Sequence, residues 1–383
     1  MYRLNKPLLC FVASHPMSVT SFLLPHLKAL SVDSRLMVLL NTRESDLLIQ
    51  RDLLDVPVEY APIERSVRPW KDLQTLWLLY RRFRQIRPDA VHTITPKAGL
   101  LGMAAAWLAR VPVRVHTFTG QVWVTRAGVV RFILQMADRC IALLATDVLV
   151  DSPSQRQFLI EHRIVSASRS AVLGEGSICG VDLARFSPNQ DDRAILRAEL
   201  GVSQEETLLL YLGRLNRDKG LLDLAEAFRK IAPSRPNLKL LMVGPDEEGI
   251  YPEIERIIQE VGSQLIRVGF TTQPERYMRA ADVFCLPSYR EGFGSSVIEA
   301  AASGIPTVAS RIYGLTDAVK DGVTGILHSP ADVQDLINCL EKLADDHALR
   351  LQMGRSARAY VEASFSQENI TGKMVEFYNA RLG

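Results

Sequence analysis

The sequence predicts an α/β protein of two domains, each built on a doubly wound parallel sheet. Two observations carry that prediction. Short apolar runs alternate with longer amphipathic segments along the chain, and the alternation starts afresh after an irregular stretch at residues 174–188. Strands that are apolar on both faces and alternate with helices pair in parallel. Within the first run, residues 8–13, 36–40, 90–94, 113–118 and 148–151 read as buried strands, and 73–86, 98–109, 129–145 and 154–161 as helices. In the second, strands are expected at 208–212, 238–243, 265–268, 283–286 and 307–310. Helices are expected there at 222–231, 254–261, 274–280 and 296–302, and residues 331–382 are nearly all helical by pattern. A chain of 383 residues is long enough for two cores of this kind. Ligands of open parallel sheets bind beyond the carboxyl ends of the strands, so the chemistry is expected in the loops there, in a cleft between the domains.

Composition narrows the function classes. The chain is 47% apolar and 23% charged, an ordinary globular balance. No stretch reaches the roughly 18 apolar residues of a spanning helix; residues 129–150 are interrupted by Arg131, Asp138 and Arg139. The opening run at 8–13 is too short for the core of a secretory leader, so the expected location is the cytoplasm. Cys10, Cys140, Cys179, Cys285 and Cys339 are odd in number, widely spaced and without a C-x-x-C pair, and read as reduced structural residues. The seven histidines form no metal-binding spacing and no D-x-D occurs, so neither a metal nor another cofactor is expected.

Net charge hides an asymmetry. Residues 1–186 hold 23 Lys and Arg against 15 Asp and Glu, whereas the remainder holds 22 against 28. A basic half joined to an acidic half suggests that one half meets an anionic partner. No nucleic-acid-binding motif accompanies the basic residues. An anionic membrane surface or a lipid diphosphate fits better.

The second half carries the chemistry. Its first loop, Gly213-Arg214-Leu215-Asn216-Arg217-Asp218-Lys219-Gly220, follows an apolar strand and precedes a helix. Gly213 admits a ligand to the backbone, and Arg214 and Lys219 supply two cations able to neutralise a diphosphate without a metal. Gly244 and the group Val268-Gly269-Phe270 end two further strands and can present backbone to a nucleobase. The segment Glu291-Gly292-Phe293-Gly294-Ser295-Ser296, with Glu299 one turn into the next helix, reads as a helix N-terminus with a serine cap and open N–H groups. Carboxylates beside an anion cradle must serve other groups, and the hydroxyls of a sugar and of a ribose are the natural partners. The structural alternative makes Glu291 a helix-terminal charge and Glu299 a surface residue.

Taken in order, Gly213-Arg214-Leu215 with Lys219-Gly220, Val243-Gly244, Val268-Gly269 and Glu291-Gly292-Phe293-Gly294 with Glu299 resemble glycosyltransferase family 4, retaining enzymes of the GT-B fold. Residues 304–309 and 321–325 resemble later segments of that family. The resemblance implies two Rossmann-like domains facing across a cleft, an acceptor-binding one at 1–184 plus 366–383 and a donor-binding one at 185–365. It implies that Arg214 and Lys219 contact the donor diphosphate, that Glu291 contacts the transferred sugar and Glu299 the ribose, and that no metal is needed. Residues 92–100 and 116–123 are similar to enzymes that extend undecaprenyl-diphosphate-linked sugars for O-antigen or capsule. A UDP-sugar donor, with an N-acetylhexosamine or related sugar, is expected on that ground. So is a lipid-linked acceptor, with the protein peripheral on the cytoplasmic face of the inner membrane. The family's glycine-rich first loop is replaced here by Ala13-Ser14-His15-Pro16-Met17-Ser18, and no catalytic histidine carries over.

On the acceptor side the candidates are His15, His92, Lys97, His116, Thr119, Trp123 and Arg126. His92 and His116 follow strands and either line the acceptor site or serve as hydrogen-bonded structural residues. Lys97 is expected near the lipid diphosphate, and Trp123, Arg126 and Arg131 facing phosphate or headgroups. A helix from Trp70 to Arg87 either lies on an anionic membrane or packs an aromatic stripe into the core beneath a solvated basic face. Catalytically, Arg214, Lys219 and the helix N-terminus would stabilise the leaving nucleotide while Glu291 orients the sugar. Competing readings are a sugar-nucleotide 2-epimerase of the same fold and a sugar-nucleotide-binding subunit without turnover. A nicotinamide enzyme is disfavoured, since residues 13–18 contain no glycine.

Overall fold

The protein was analysed as a computed structural model that describes residues 6–42, 56–64 and 66–383. Met1–Asn5, ahead of the first strand, lie outside the described residues. The chain forms two compact units, Met1–Cys179 with Gln367–Gly383, and Gly180–Ser366. Each is an α/β layer structure around its own parallel sheet.

In the first unit the described strands are β1 (Leu8–Ala13), β2 (Arg35–Leu40), β3 (Val58–Tyr60), β4 (Ala90–Ile94), β5 (Val113–Phe118), β6 (Asp147–Val150) and β7 (Ser170–Val172). They pair in the order β3-β2-β1-β4-β5-β6-β7, every pair parallel. Cys10, Phe11 and Val12 in the middle of β1 are fully buried, as a central parallel strand with helices on both faces requires. The helices are α1 (Leu24–Leu30), α2 (Pro69–Ile86), α3 (Pro96–Leu108), α4 (Gly128–Leu144) and α5 (Pro153–Glu161), and the unit is completed by the last helix of the chain, Gln367–Leu382. Glycines let α3 press on the sheet. A Cβ at Gly99 would lie 2.5 Å from the His116 ring, and one at Gly102 2.6 Å from the Thr93 methyl.

The second unit orders its strands β10-β9-β8-β11-β12-β13, where β8 is Thr207–Leu212, β9 Leu238–Val243, β10 Leu265–Val268, β11 Val283–Leu286, β12 Thr307–Ser310 and β13 Gly325–His328. Around them lie α6 (Gln190–Glu199), α7 (Leu221–Ile231), α8 (Tyr251–Ile257), α9 (Pro274–Ala280), α10 (Ser295–Ala302), α11 (Leu315–Ala318), α12 (Val333–Asp345) and α13 (His347–Ser364); the final helix of the first unit is α14. The strands that the sequence pattern did not predict, β3, β7 and β13, all lie at sheet edges. An edge strand needs fewer apolar residues, and no residue of β3 is fully buried.

Beneath the carboxyl ends of β4, β5 and β6 is a small cavity of about 10 Å³ lined by His26, Thr117, Asp151 and Ser177 among others. Nδ1 of His26 and Oδ1 of Asp151 have no partner among the described residues. Burial pushes the Asp151 carboxyl up to about 8 and His26 down to about 4. A folded carboxyl held above its ordinary 3.8 contributes stability that is lost as pH rises through the folded value. Buried histidines act in the opposite sense, but only below about 6.5. Between pH 6.5 and 8.5 the midpoint of thermal unfolding is therefore expected to fall by roughly 2–6 °C, and Asp151→Asn to flatten that slope in a pH series of melts.

Candidate active site

Chain order in the second sheet reverses between β8 and β11, so a crevice opens between the loops leaving them. Those two loops are cross-linked. Lys219 forms an ion pair with Glu291, and the Ser288 hydroxyl donates to the same Glu291 Oε1 at 2.8 Å. One residue back on each side, Arg290 pairs with Asp218 at 2.9 Å. The Tyr289 backbone N–H donates to the Asp218 carbonyl, and its hydroxyl to Asp223 at 2.7 Å. Gly220 makes the approach possible: its φ is 65°, and a Cβ there would run into the Pro287 carbonyl.

Arg214 is half exposed and pairs with Glu247 at 3.0 Å, while its carbonyl accepts from the Tyr211 hydroxyl at 2.7 Å. At Gly244, with φ 135°, a Cβ would strike the Gly213 carbonyl, so the ends of β8 and β9 lie in direct backbone contact. The Gly244 N–H donates to the carbonyls of Val268 and Gly269, and the Phe270 ring beyond them is exposed. The N-terminus of α10 differs from the serine cap expected. Its cap is Gly294, in the left-handed region with φ 87°, and no side chain caps the first turn. A Cβ at Gly294 would meet the Leu315 side chain at 2.5 Å, and the left-handed backbone disfavours any residue with a side chain there. Phe293 is buried against Phe365, at 5.1 Å between ring centroids, so only its backbone faces the loop. Ser295 and Ser296 are half-buried in the first turn.

Glu299, one turn on, is half-buried and not fully exposed as the structural alternative has it. Burial pushes its carboxyl up to about 7, with Arg185 pulling it down and Glu275 up. Ala300, Ala301 and Ala302 behind it are buried, the close packing their size allows.

Among the candidates of the first unit, His92 and His116 are interior residues. His92 bonds the Tyr378 hydroxyl of α14 through Nδ1 and the Thr117 hydroxyl through Nε2, both at 2.7 Å. His116 Nδ1 bonds Thr93 Oγ1 at 2.7 Å. Desolvation pushes both down to about 3, so both stay neutral near pH 7. The His116 ring nevertheless lines a cavity of about 40 Å³ with Thr95, Thr119, Trp123 and Asp138. Lys97 is tied to Asp72 at 2.6 Å and to the Ser66 carbonyl. His15 caps the turn Pro16–Ser18 through Nδ1. Trp123 corrects an expectation. It is buried, stacks on Phe158, and its indole N–H donates to Asp138 at 2.8 Å, so the ring faces the interior and not headgroups. Arg126 is exposed, and Arg131 lies 5.6 Å over the Trp123 ring. The core-packed aromatic stripe is also overturned for Trp70 and Trp77, which are exposed; Thr75, Leu79 and Phe83 form the buried face of α2.

Residues 192–360 match the family described as glycosyl transferases group 1, and residues 19–176 the glycosyl transferase 4-like domain. The chain belongs to this glycosyltransferase family. It is 29% identical over 322 residues to the capsular polysaccharide biosynthesis glycosyltransferase CapM of Staphylococcus aureus, covering 84% of each chain. It is 27% identical over 320 residues to the UDP-Gal:alpha-D-GlcNAc-diphosphoundecaprenol alpha-1,3-galactosyltransferase of Escherichia coli, covering 82% of this chain and 81% of that one. The solved structure of Anabaena Alr3699/HepE in complex with UDP and glucose superposes with a TM-score of 0.81 at 21% identity, covering 98% of this chain and 100% of that one. The fold is that of the GT-B glycosyltransferases.

In this glycosyltransferase several residues of the crevice carry no motif by themselves: Ser288, Asp218, Arg290, Tyr289 and Arg267. Arg267 lies 5.2 Å over Tyr251 and bonds the carbonyls of Met242, Val268 and Gly244, tying the ends of β9 and β10. A signal for one set existed. Asp218-Lys219 and Arg290-Glu291 are adjacent opposite charges in two strand-end loops, complementary when paired crosswise. Gly220→Ala places a Cβ against a carbonyl at positive φ. It is expected to cost about 1–3 kcal/mol, read as a lowered thermal midpoint, with Gly249→Ala, where nothing lies within 4 Å, as the milder control.

Proposed function

We propose that this glycosyltransferase moves a sugar from a UDP-sugar, an N-acetylhexosamine or a related hexose, onto a polyprenyl-diphosphate-linked saccharide in the synthesis of a surface polysaccharide, with retention and without a metal. The reading rests above all on the Lys219–Glu291 pair beside the uncapped N-terminus of α10. A departing UDP accumulates negative charge on its diphosphate. Lys219, Arg214 and the backbone N–H groups at the uncapped N-terminus of α10 supply fixed positive charge and donors for it, and so take the part that a metal plays elsewhere. With donor bound, Glu291 is released from full pairing and accepts from a hydroxyl of the transferred sugar, held in line by Ser288. Glu299 takes the ribose end. We favour front-face substitution: the leaving phosphate oxygen accepts the acceptor's proton as the new bond forms on the same face. The acceptor class is supported by the E. coli relative's lipid-linked substrate and by the basic first unit, which would meet an anionic membrane. No helix among the described residues is long and apolar enough to cross a membrane.

The deciding assay offers a panel of UDP-sugars to a short-chain polyprenyl-diphosphate sugar, and the anomeric configuration of the product is read by NMR. Transfer with retention, unchanged by EDTA, is expected; inversion or EDTA inhibition overturns that part of the reading. Incubating donor alone should yield no epimer. Lys219→Ala should lower kcat/KM on the order of 10²–10³-fold. Glu291→Gln should keep measurable turnover, and a trapped glycosyl-Glu291 would replace orientation by covalent catalysis.

The raised Glu299 carboxyl adds a pH dependence. Only its ionised form accepts from two ribose hydroxyls, so affinity for a UDP-sugar should strengthen as pH rises through about 7. Titration calorimetry between pH 6 and 8 should show this for the native chain and not for Glu299→Gln.

A further inference from the structure

Helix α4 is amphipathic in an unusual sense: its solvent side is apolar. Val129, Phe132, Ile133, Met136 and Leu143 point outward, with Val129 73%, Phe132 60% and Ile133 58% exposed. Leu134, Ala137 and Asp138 face inward onto the small cavity that contains His116. On α2, Trp70, Leu73 and Trp77 repeat the pattern at helical spacing, with Trp70 81% exposed. The helix α3 packs between α2 and α4, and its Trp107 is exposed too. Three neighbouring helices of one layer therefore carry outward aromatic and branched side chains, more than scattered surface residues account for.

Charge identifies what covers them. Residues 69–144 hold 11 Lys and Arg against 3 Asp and no Glu. All three acids are engaged within the unit: Asp72 with Lys97, Asp89 with the Leu8 N–H and Asp138 with the Trp123 indole. The outward positions keep Arg81 stacked on Trp77, Arg84, and Arg126 at the start of α4. An apolar surface rimmed by cations with its acids turned inward matches an anionic bilayer, where apolar side chains enter the acyl boundary and guanidinium groups stay at the phosphates. Helix N-termini lie at the carboxyl ends of the preceding strands in a parallel sheet, so Trp70, Val129 and Phe132 lie toward one and the same end of the first sheet.

We propose that the outward faces of α2 and α4 form a membrane-docking surface for anionic lipid, with Phe132 and Ile133 as the inserting side chains. This rests on the lipid-linked acceptor reading for its purpose, though not for its test. The native chain and Phe132→Ser/Ile133→Ser are compared by flotation with vesicles of phosphatidylglycerol and of phosphatidylcholine. Circular dichroism shows that the variant folds, and sedimentation reports association. Native binding to the anionic vesicles, weakened by added salt and reduced about tenfold or more in the variant, is the expected result. Transfer to a short-chain acceptor in vesicle-free buffer should be equal for the two proteins. Absence of native binding overturns the proposal, and so does equal binding by the variant. A native dimer that the variant converts to monomer, without vesicle binding, also overturns it and assigns the face to a second copy. If no acceptor is glycosylated but the vesicle result holds, the surface stands and the function reading falls.

Discussion

The second unit depends on two loops being held within ion-pairing distance across a sheet. Lys219 and Glu291 meet because β8 and β11 are neighbours in the sheet though far apart in sequence, and because Gly220 has no side chain to hold Pro287 away. A lone partly buried lysine or glutamate would be costly to desolvate; as a pair they satisfy each other until a ligand arrives. The Asp218–Arg290 pair and the Tyr289–Asp223 bond then fix the loop outline, so that little reordering is left for binding. Arg214 stands apart from this network. Its contact with Glu247 is at the surface and screened by solvent, which leaves its charge free to reorient.

The first unit uses its polar residues differently. His92, His116, His26 and Asp151 all lie in the interior near the carboxyl ends of the strands, and all are pushed toward their neutral forms. Threonine hydroxyls and the Tyr378 hydroxyl satisfy the first two. The positive charge of this unit is carried on the layer of α2, α3 and α4, whose few acids are consumed by internal contacts. The neutral interior and the cationic exterior thus belong to different layers of the same fold.

Several parts of this arrangement were legible in the residues. Strands β1 and β11 were predicted at their observed ends because each is an uninterrupted apolar run buried within its sheet. The residues that line the crevice between β8 and β11 were legible as glycines and cations after strands. The serine cap of α10 was misread because hydrogen-bonding propensity favours serine, whereas the backbone at the cap takes the left-handed conformation that favours glycine. Trp123 was misread because an aromatic among arginines looks like an interfacial residue. Its carboxylate partner, Asp138, is 15 positions away and is recognised only once α4 folds back over the turn.

By itself the sequence determined most of the element order, the basic and acidic halves and the residue types of the crevice between β8 and β11, because these follow from local periodicity and side-chain chemistry. Tertiary structure alone decided which charges pair. It left Lys219 shared with Glu291, turned Asp72 and Asp138 inward, and left the apolar side of α4 facing out. Pairing and exposure depend on contacts between segments distant in the chain, and no local pattern specifies those.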